Sequence, residues 1–178
     1  MRKGQHLYIK KASGSYTHHA LGVGDNRVIH YSGLANDFTT IGVIEEVTLD
    51  EFSKGNQVFV KPHLNRKYEA DTSIIRAKLR LGEAQYHILY NNCEHFVEWC
   101  ITGIHRSTQS HRGKLLYSAG IGTRTLLGVK NPVGFVVGAV AGYAYIHHQG
   151  LKKMPDFTTL EDEFEKVIQA KSSLVNLP

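Results

Sequence analysis

The segment from Asn91 to Val97 combines a helix-start signal with a chemically reactive side chain. Asn92 is a favourable N-cap, because its side-chain oxygen can accept a hydrogen bond from an orphan backbone N–H of the first turn. Cys93 would then lie at the positive end of the helix dipole, which favours a thiolate over a thiol. Apolar residues follow at helical spacing and indicate one buried face: Phe96, Val97, Cys100 and Ile101. The pattern predicts a buried helix with a thiol nucleophile at its start.

Two histidines lie on a predicted hairpin upstream of this cysteine. Residues 16–24 and 26–31 are expected to form its strands, with turn chemistry at residues 24–26. Side chains alternate along a strand, so His18 and His19 face opposite sides, and the returning strand can bring His30 beside His18. A cysteine nucleophile needs a base and a group that orients the base. The hairpin offers a histidine for each of these two roles.

Each of these residues also has a purely structural interpretation. The chain contains 11 histidines, so a histidine at one position is weak evidence of function. Free cysteines are usually small buried hydrophobes, and Cys93 fits that description as well as it fits catalysis. The catalytic interpretation therefore depends on whether the three side chains meet in the fold.

The order and spacing of these residues resemble the lecithin retinol acyltransferase family, which includes the small phospholipase A/acyltransferases. The resemblance rests on His18 in the second strand, His30 at the end of the third, and the Asn-Cys-Glu-His-Phe helix start at residues 92–96. The run Arg80-Leu81-Gly82-Glu83, followed by Tyr86 and Asn91-Asn92, and the opening Lys3-Gly4 are also similar. The match covers about the first hundred residues.

This resemblance implies a role for each residue of the triad. Cys93 is the implied nucleophile, His18 the general base and His30 the third, orienting residue. The implied fold is similar to that of NlpC-type cysteine peptidases, a permuted papain-like arrangement. The sequence departs from the family at His19, where a tryptophan is usual, and at Gly22, where a tyrosine is frequent.

Local signals predict an α+β fold, in which an antiparallel sheet packs on the cysteine helix. Besides the hairpin, strands are expected at residues 5–10, 43–49 and 57–61, and one helical turn at residues 50–54. A longer helix is expected to start from a cap at Asp71 or Thr72 and to run to Leu81. The cysteine helix should end near Thr102-Gly103.

The cysteine content and the N-terminal segment predict a cytoplasmic protein. Cys93 and Cys100 on one helix are ~10 Å apart along its axis, which exceeds the roughly 7 Å limit between Cα atoms for a disulfide. Both are therefore expected to be free thiols, which suits a reducing compartment. The start Met1–His6 lacks the apolar run of a signal peptide.

The positive charge of the chain is concentrated in a segment with unusual composition. Residues 99–155 contain no acidic residue and seven basic ones, within a chain of net charge +5. Inside this segment, residues 132–146 form an uncharged apolar run with a glycine at every fourth position from Gly134 to Gly142. As a helix the run would be about 22 Å long, shorter than the ~30 Å hydrocarbon core of a bilayer.

Three interpretations of this run remain open: a short membrane anchor flanked by basic residues, a hairpin with residues 115–129, and a core helix. We expect membrane association through residues 115–146, which the family resemblance supports. A final amphipathic helix is expected from Thr159, for packing or for a partner. The predicted division is a thiol catalytic domain at 1–110, the basic apolar segment at 111–155 and the C-terminal helix at 156–178.

Several function classes have little support. The chain lacks His-Glu-x-x-His and Cys-x-x-Cys motifs and a Gly-rich phosphate loop, so no metal and no cofactor are expected. The His18-His19 and His147-His148 pairs are at most adventitious metal binders. The basic segment is apolar and has no nucleic-acid-binding motif, so a membrane surface is favoured over nucleic acid.

Three functions remain, and we favour the first. In acyl transfer, Cys93 attacks a phospholipid ester and forms a thioester, and His18 then helps an amine, a hydroxyl or water to accept the acyl group. Backbone N–H groups at the helix start would stabilise the oxyanion. The same residues would serve an NlpC-like cysteine peptidase or amidase. The departures at His19 and Gly22 allow a catalytically silent, membrane-associated interaction module. The phospholipid chemistry rests on the resemblance alone.

Overall fold

The described part of the chain has an α+β fold with a five-stranded antiparallel sheet. The computed structural model describes residues 3–10, 16–32, 42–112, 114–116, 118–119, 132–151 and 155–175. The strands are β1 (His6–Lys10), β2 (Thr17–Gly24), β3 (Arg27–Tyr31), β4 (Ile44–Thr48) and β5 (Val58–Lys61). Their spatial order is β4-β3-β2-β1-β5. The predicted antiparallel sheet is therefore confirmed, whereas the permuted papain-like arrangement stays a prediction.

The predicted hairpin is formed by β2 and β3. Asp25 and Asn26 connect the strands with φ angles of 44° and 57°, both in the left-handed region typical of a tight hairpin turn. The register places Ala20 opposite His30. Residues 11–15 and 33–41 lie outside the described residues.

Five helices have described bounds: α1 (Leu49–Ser53), α2 (Ala70–Leu79), α3 (Cys93–Thr102), α4 (Pro132–Leu151) and α5 (Phe157–Val175). Helix α3 ends as predicted, because Gly103 adopts φ 73° and closes the last turn. The expected bounds of α2 are wrong at both ends. Its cap residue is Glu69, and the chain leaves the helix early because the N–H of Gly82 bonds to the carbonyl of Ile44 in β4.

Two apolar clusters lie on the two faces of the sheet, as strand alternation requires. Ala20 of β2 belongs to the cluster that contains Phe52, and its neighbour Leu21 belongs to the cluster that contains α3. Every residue of α3 is buried, including Phe96 and Trp99. The cysteine helix is therefore a central core element packed on one face of the sheet.

Helix α5 packs against α2 and α3. Phe164 is only 4% exposed, and the ring of Phe157 lies 5.8 Å from that of Trp99. The helix begins two residues before the expected Thr159, after Asp156, whose carboxylate accepts the N–H groups of the first turn. The packing role of this helix is confirmed.

Helix α4 has one buried face and one exposed face. Gly138, Gly142 and Ile146 are buried at successive helical turns, and the hydroxyl of Tyr90 donates to the carbonyl of Ile146. The other side of the helix exposes three valines: Val136, Val137 and Val140. Within the described residues no helix has the length and apolar character needed to cross a bilayer. The hairpin interpretation and the domain division stay predictions, since residues 120–131 lie outside the described part.

Candidate active site

The start of α3 is fixed by the side chain of Asn92, which confirms the predicted cap. Its Oδ1 accepts the N–H groups of Glu94 and His95, both at 3.0 Å. Its Nδ2 donates to the carbonyl of Ile88 at 2.8 Å and so ties the helix start to the preceding turn. Cys93 is thereby held in the first turn with little freedom to move.

A buried polar network supports the chain just before this cap. The guanidinium of Arg80 donates to both carboxylate oxygens of Glu83, at 2.7 and 2.8 Å, and to Oδ1 of Asn91 at 3.1 Å. Asn91 in turn donates to Glu83 at 2.8 Å. Because Arg80 is 1% exposed and its charge is balanced by Glu83, this network is a rigid support rather than a solvated surface.

Two tyrosines cover the thiol of Cys93. The residue is fully buried, and the hydroxyl of Tyr16 lies 3.4 Å from its sulfur. The hydroxyl of Tyr86 lies 3.2 Å from that of Tyr16. Burial raises the pKa of both phenols, so they stay protonated and remain available as hydrogen-bond donors.

The first residues of strand β2, which lie beside the Cys93 thiol, are not paired with β3. Gly22 donates its N–H to Gln5 on the β1 side. Backbone N–H groups of successive residues alternate between the two edges of a strand. Thr17 and His19 are an odd number of residues from Gly22, so they direct their N–H groups toward the edge that β3 occupies. The pairing with β3 begins only at Ala20, the residue after His19, so the N–H groups of Thr17 and His19 bond to other partners.

The partners at this edge come from α3 and from the residues after it. The N–H of His19 bonds to the sulfur of Cys93. The side-chain amide of Gln109 accepts the N–H of Thr17 at 2.9 Å and donates to its carbonyl at 3.1 Å, as a neighbouring strand would. The thiol therefore lies at the edge of β2 and not simply beneath one face of the sheet.

The two predicted histidines are directly bonded to each other. Nε2 of His18 lies 2.9 Å from Nδ1 of His30, and both rings pack edge-on or tilted against Phe52. They are diagonal neighbours on one face, because His30 faces Ala20 across the strands. Nε2 of His30 lies 3.6 Å from a carboxylate oxygen of Glu45. The expectation that the hairpin joins the two histidines is confirmed.

The histidine pair and the thiol converge on one short piece of β2. The Cys93 sulfur accepts the N–H of His19, and the nitrogen of that group is bonded directly to the carbonyl carbon of His18. The thiol therefore contacts the backbone of β2 beside His18, and the ring of His18 is bonded to that of His30.

Known proteins resemble this chain over the part that carries the hairpin and the thiol. The family model described as lecithin retinol acyltransferase matches residues 1–106, which include the hairpin, the thiol and most of its polar support. The chain belongs to the lecithin retinol acyltransferase family. Lecithin retinol acyltransferases of Bos taurus and Homo sapiens are each 30% identical to it over 123 residues, and the Rattus norvegicus protein is 29% identical over 124. The alignments cover 54% of this chain. They cover 53% of each relative, so the chain spans about half the length of these relatives.

One departure from the lecithin retinol acyltransferase pattern acquires a structural explanation. His19, which stands where the family usually has a tryptophan, directs its ring away from His18, as strand alternation predicted. Its Nδ1 lies 2.7 Å from Nε2 of His6, and its Nε2 lies 2.8 Å from the hydroxyl of Thr17. This histidine therefore belongs to a separate polar cluster and does not compete for the role of base.

The charge state of Cys93 differs from the expectation based on the helix dipole. Burial raises the pKa of the thiol, and the hydrogen bonds from Tyr16 and from the N–H groups of His19 and Glu94 offset this only in part. Desolvation of a fully buried anion outweighs the favourable position at the helix start. The resting thiol is therefore protonated at neutral pH.

Sequence reasoning missed three contributors to the site: Tyr16, Tyr86 and Gln109. Tyr16 is two residues before His18 and carries a weak local signal, because it shares the strand parity of the predicted base. Tyr86 stands out only as part of the family resemblance, and Gln109 carries no such signal. Their roles depend on how the segments on either side of α3 return to β2, which is a tertiary property.

Proposed function

We propose that this chain is a thiol-dependent acyltransferase that takes an acyl group from a phospholipid. Cys93 is the nucleophile, His18 the general base and His30 the residue that orients the base. The observation that supports this most is that the Cys93 sulfur accepts the backbone N–H next to His18, whose ring is bonded to that of His30. The names of the curated relatives include lecithin and acyl transfer, which favours a phospholipid donor.

The first step is attack by a thiol that is deprotonated as it reacts. Because burial raises the pKa of Cys93, a standing thiolate–imidazolium pair is disfavoured, and His18 takes the proton while the sulfur attacks the ester carbonyl. The tetrahedral intermediate then collapses, the C–O bond breaks, and His18 returns the proton to the departing alcohol. His30 and Glu45 stabilise the transient imidazolium of His18.

The second step resolves the thioester on Cys93. An amine, a hydroxyl or water attacks the thioester carbonyl while His18 accepts its proton. The C–S bond then breaks, and His18 returns the proton to the departing sulfur of Cys93. The three acceptors follow the same proton path, so the choice between transfer and hydrolysis depends on which of them reaches the site.

Two donors can stabilise the oxyanion in both steps. Asn92 already occupies the N–H groups of Glu94 and His95, so the N–H of Cys93 is the donor that the helix start offers. The hydroxyl of Tyr16, 3.4 Å from the sulfur, is the second. Since Tyr16 also covers the thiol, its movement both admits the substrate and places a donor beside the reacting carbonyl.

A basic cavity and an exposed apolar strip favour a membrane-bound donor. The cavity lies between the segment after α3 and helix α4, measures about 540 Å³ and is lined by described residues that include no carboxylate. Arg106, Arg112 and Lys114 contribute its permanent positive charges, and Tyr143 and His147 of α4 complete one wall. The same helix exposes three valines, Val136, Val137 and Val140. Cationic and apolar groups together suit an anionic lipid surface.

The catalytic proposal is tested by acyl transfer from phosphatidylcholine in vesicles, with amine, alcohol and water as acceptors. We expect Cys93→Ser to abolish product, His18→Asn to lower the rate about 10²–10⁴-fold and His30→Asn to lower it less. Cys100→Ser is the matched control, since Cys100 is a second buried free thiol on the same helix. Unchanged turnover in Cys93→Ser would refute the proposal.

The membrane proposal is tested by co-sedimentation of the full chain with anionic vesicles. We expect binding that weakens in salt, because the basic groups contribute through screened charges, and that falls further when Val136, Val137 and Val140 are all changed to Ser. The control changes two exposed acidic residues of α5, with Asp162→Asn and Glu163→Gln in one variant, and should not reduce binding. A full chain that stays in the supernatant at low salt would contradict membrane association.

A further inference from the structure

We propose that His6, His63 and Glu98 form a binding site for one divalent transition-metal ion, of which Zn²⁺ is the best match. These residues come from three separate elements: β1, the segment after β5, and α3. The group lies apart from the His18–His30 pair, and the proposed acyl transfer makes no use of it. It is inferred from the arrangement of side chains, because the sequence contains no metal-binding motif.

The three ligand atoms form a triangle of suitable size. Nδ1 of His6 lies 2.8 Å from Nε2 of His63, and Oε1 of Glu98 lies 3.9 and 3.8 Å from these two nitrogens. Zinc bonds of about 2.0–2.1 Å in a tetrahedron correspond to edges of roughly 3.3 Å. Each separation is therefore within about 0.6 Å of the value that a bound ion would impose, so rotamer adjustments suffice.

Hydrogen bonds behind His6 orient it as a ligand. Its second ring nitrogen, Nε2, lies 2.7 Å from Nδ1 of His19, and Nε2 of His19 lies 2.8 Å from the hydroxyl of Thr17. A metal-bound histidine characteristically directs its other nitrogen to such a partner, which fixes its tautomer and its plane.

The charge around the triangle also favours a cation. Glu94 and Glu98 are buried carboxylates, and the ammonium of Lys61 lies 2.9 Å from an oxygen of each. Two negative charges therefore face one half-buried positive charge. The guanidinium of Arg106 also contacts Glu98, but its side chain is 62% exposed and its charge is screened by solvent. Glu98 can bind a metal through Oε1 while Lys61 remains bonded to another lone pair of the carboxylate.

The site has an entry path and an open ligand position. His63, Glu98 and Lys61 line a cavity of about 370 Å³ on the surface of the protein. Three protein ligands and a cavity leave room for water as the fourth ligand, a coordination that zinc accepts. Binding would join β1, the segment after β5 and α3, so we expect the metal to raise the thermal stability of the fold.

The test uses the full chain after dialysis against a chelator, titrated with Zn²⁺ by calorimetry and with Co²⁺ by absorbance. We expect one ion per chain, a tetrahedral Co²⁺ spectrum and a metal-dependent rise in Tm. The variants His63→Ala and Glu98→Gln should each weaken metal binding more than about tenfold, because even mutation of a hydrogen-bond partner of a ligand weakens it by that factor. His63 lies outside the helices and strands, and Glu98→Gln is isosteric.

The exposed His147-His148 pair provides the control, because adjacent histidines bind metals adventitiously. The double variant His147→Ala/His148→Ala should retain the site with unchanged affinity. Circular dichroism of His63→Ala without metal should match that of the wild type, which keeps loss of binding distinct from loss of fold. The proposal is overturned if the wild type binds no stoichiometric ion, if His63→Ala binds as tightly as the wild type, or if binding disappears with the His147-His148 pair.

Discussion

The burial of Cys93 decides what its helix position can do for catalysis. A helix start favours an anion by about 0.3–1 kcal/mol when it is exposed, whereas removing a charge from water costs several kcal/mol. Since Cys93 has no exposed surface, the second effect is larger and the pKa of the thiol rises. The hydroxyl of Tyr16 and two backbone N–H groups keep that rise from being larger still.

Replacing Tyr16 by Phe should therefore raise the pKa of the Cys93 thiol further, since it removes a hydrogen bond to the thiolate. The measurement is the pH dependence of alkylation at Cys93, followed by peptide mass spectrometry in wild type and Tyr16→Phe. Cys100 is an internal control, because burial raises its pKa to about 12 and Tyr16 is not among the groups that shift it. A midpoint in Tyr16→Phe equal to or below that of the wild type would contradict the assigned role.

At the scale of residues, the sequence predicts the parts of the site that depend on local spacing. Asn92 and Cys93 follow from a helix-start pattern, and the pairing of His18 with His30 follows from strand alternation around a two-residue turn. Gln109 was not predictable, because it takes the place of a strand partner only after the chain has passed through α3 and returned to β2.

At the scale of elements, the docking of α5 depends on one buried cation. Arg76 is fully buried, lies 3.8 Å from the ring of Trp99 and donates to both carboxylate oxygens of Glu161. A guanidinium in this position is tolerated because it has an ionic partner on one side and aromatic faces on the others. The amphipathic pattern of α5 predicted that the helix packs, but not that its partner is a charged residue of α2.

Changing Glu161 to Ala should lower the free energy of unfolding by about 2 kcal/mol, because it leaves the buried charge of Arg76 without its carboxylate. Chemical denaturation followed by circular dichroism measures the change. Glu165→Ala is the control, since Glu165 lies on the exposed side of the same helix. Equal stabilities of the two variants would show that Arg76 does not dock α5.

Helices α2 and α4 illustrate why sequence patterns failed at this scale. The capping residues near Asp71 predicted a later start for α2, whereas tertiary hydrogen bonds from the segment after it to β4 set where it ends. In α4 glycines at every fourth position allow a neighbour to approach closely, and Gly138 and Gly142 are buried. Composition alone did not distinguish a protein surface from a lipid as that neighbour.

At the scale of the whole molecule, buried neutral histidines make stability depend on pH. Burial, reinforced by nearby Lys114 and the neighbouring imidazole, lowers the pKa of His95 to about 3 and that of His105 to about 2. Below pH 6.5, the ordinary pKa of histidine, the unfolded chain binds protons at His95 and His105 that the folded chain does not bind. The free energy of unfolding should therefore fall as the pH decreases from about 6.5 toward about 3, and should be insensitive to these groups above that range.

The His105→Gln variant should lose less stability on acidification, because one of these groups no longer titrates. Each buried histidine contributes a slope of up to about 1.4 kcal/mol per pH unit. Urea unfolding at several pH values between about 7 and 5 measures the difference. The exposed His148→Gln variant should follow the wild type, and a His105→Gln slope equal to that of the wild type would argue against a neutral buried imidazole.

The central claim is a covalent acyl intermediate on Cys93, and trapping it is the most direct test. The full chain is mixed with phosphatidylcholine vesicles, quenched in acid after a short time and examined by intact mass and peptide mapping. The account predicts one added acyl group on Cys93, removed by neutral hydroxylamine, absent in Cys93→Ala and formed more slowly in His18→Asn. Turnover of the lipid without acylation of Cys93, or acylation that persists in Cys93→Ala, would contradict it.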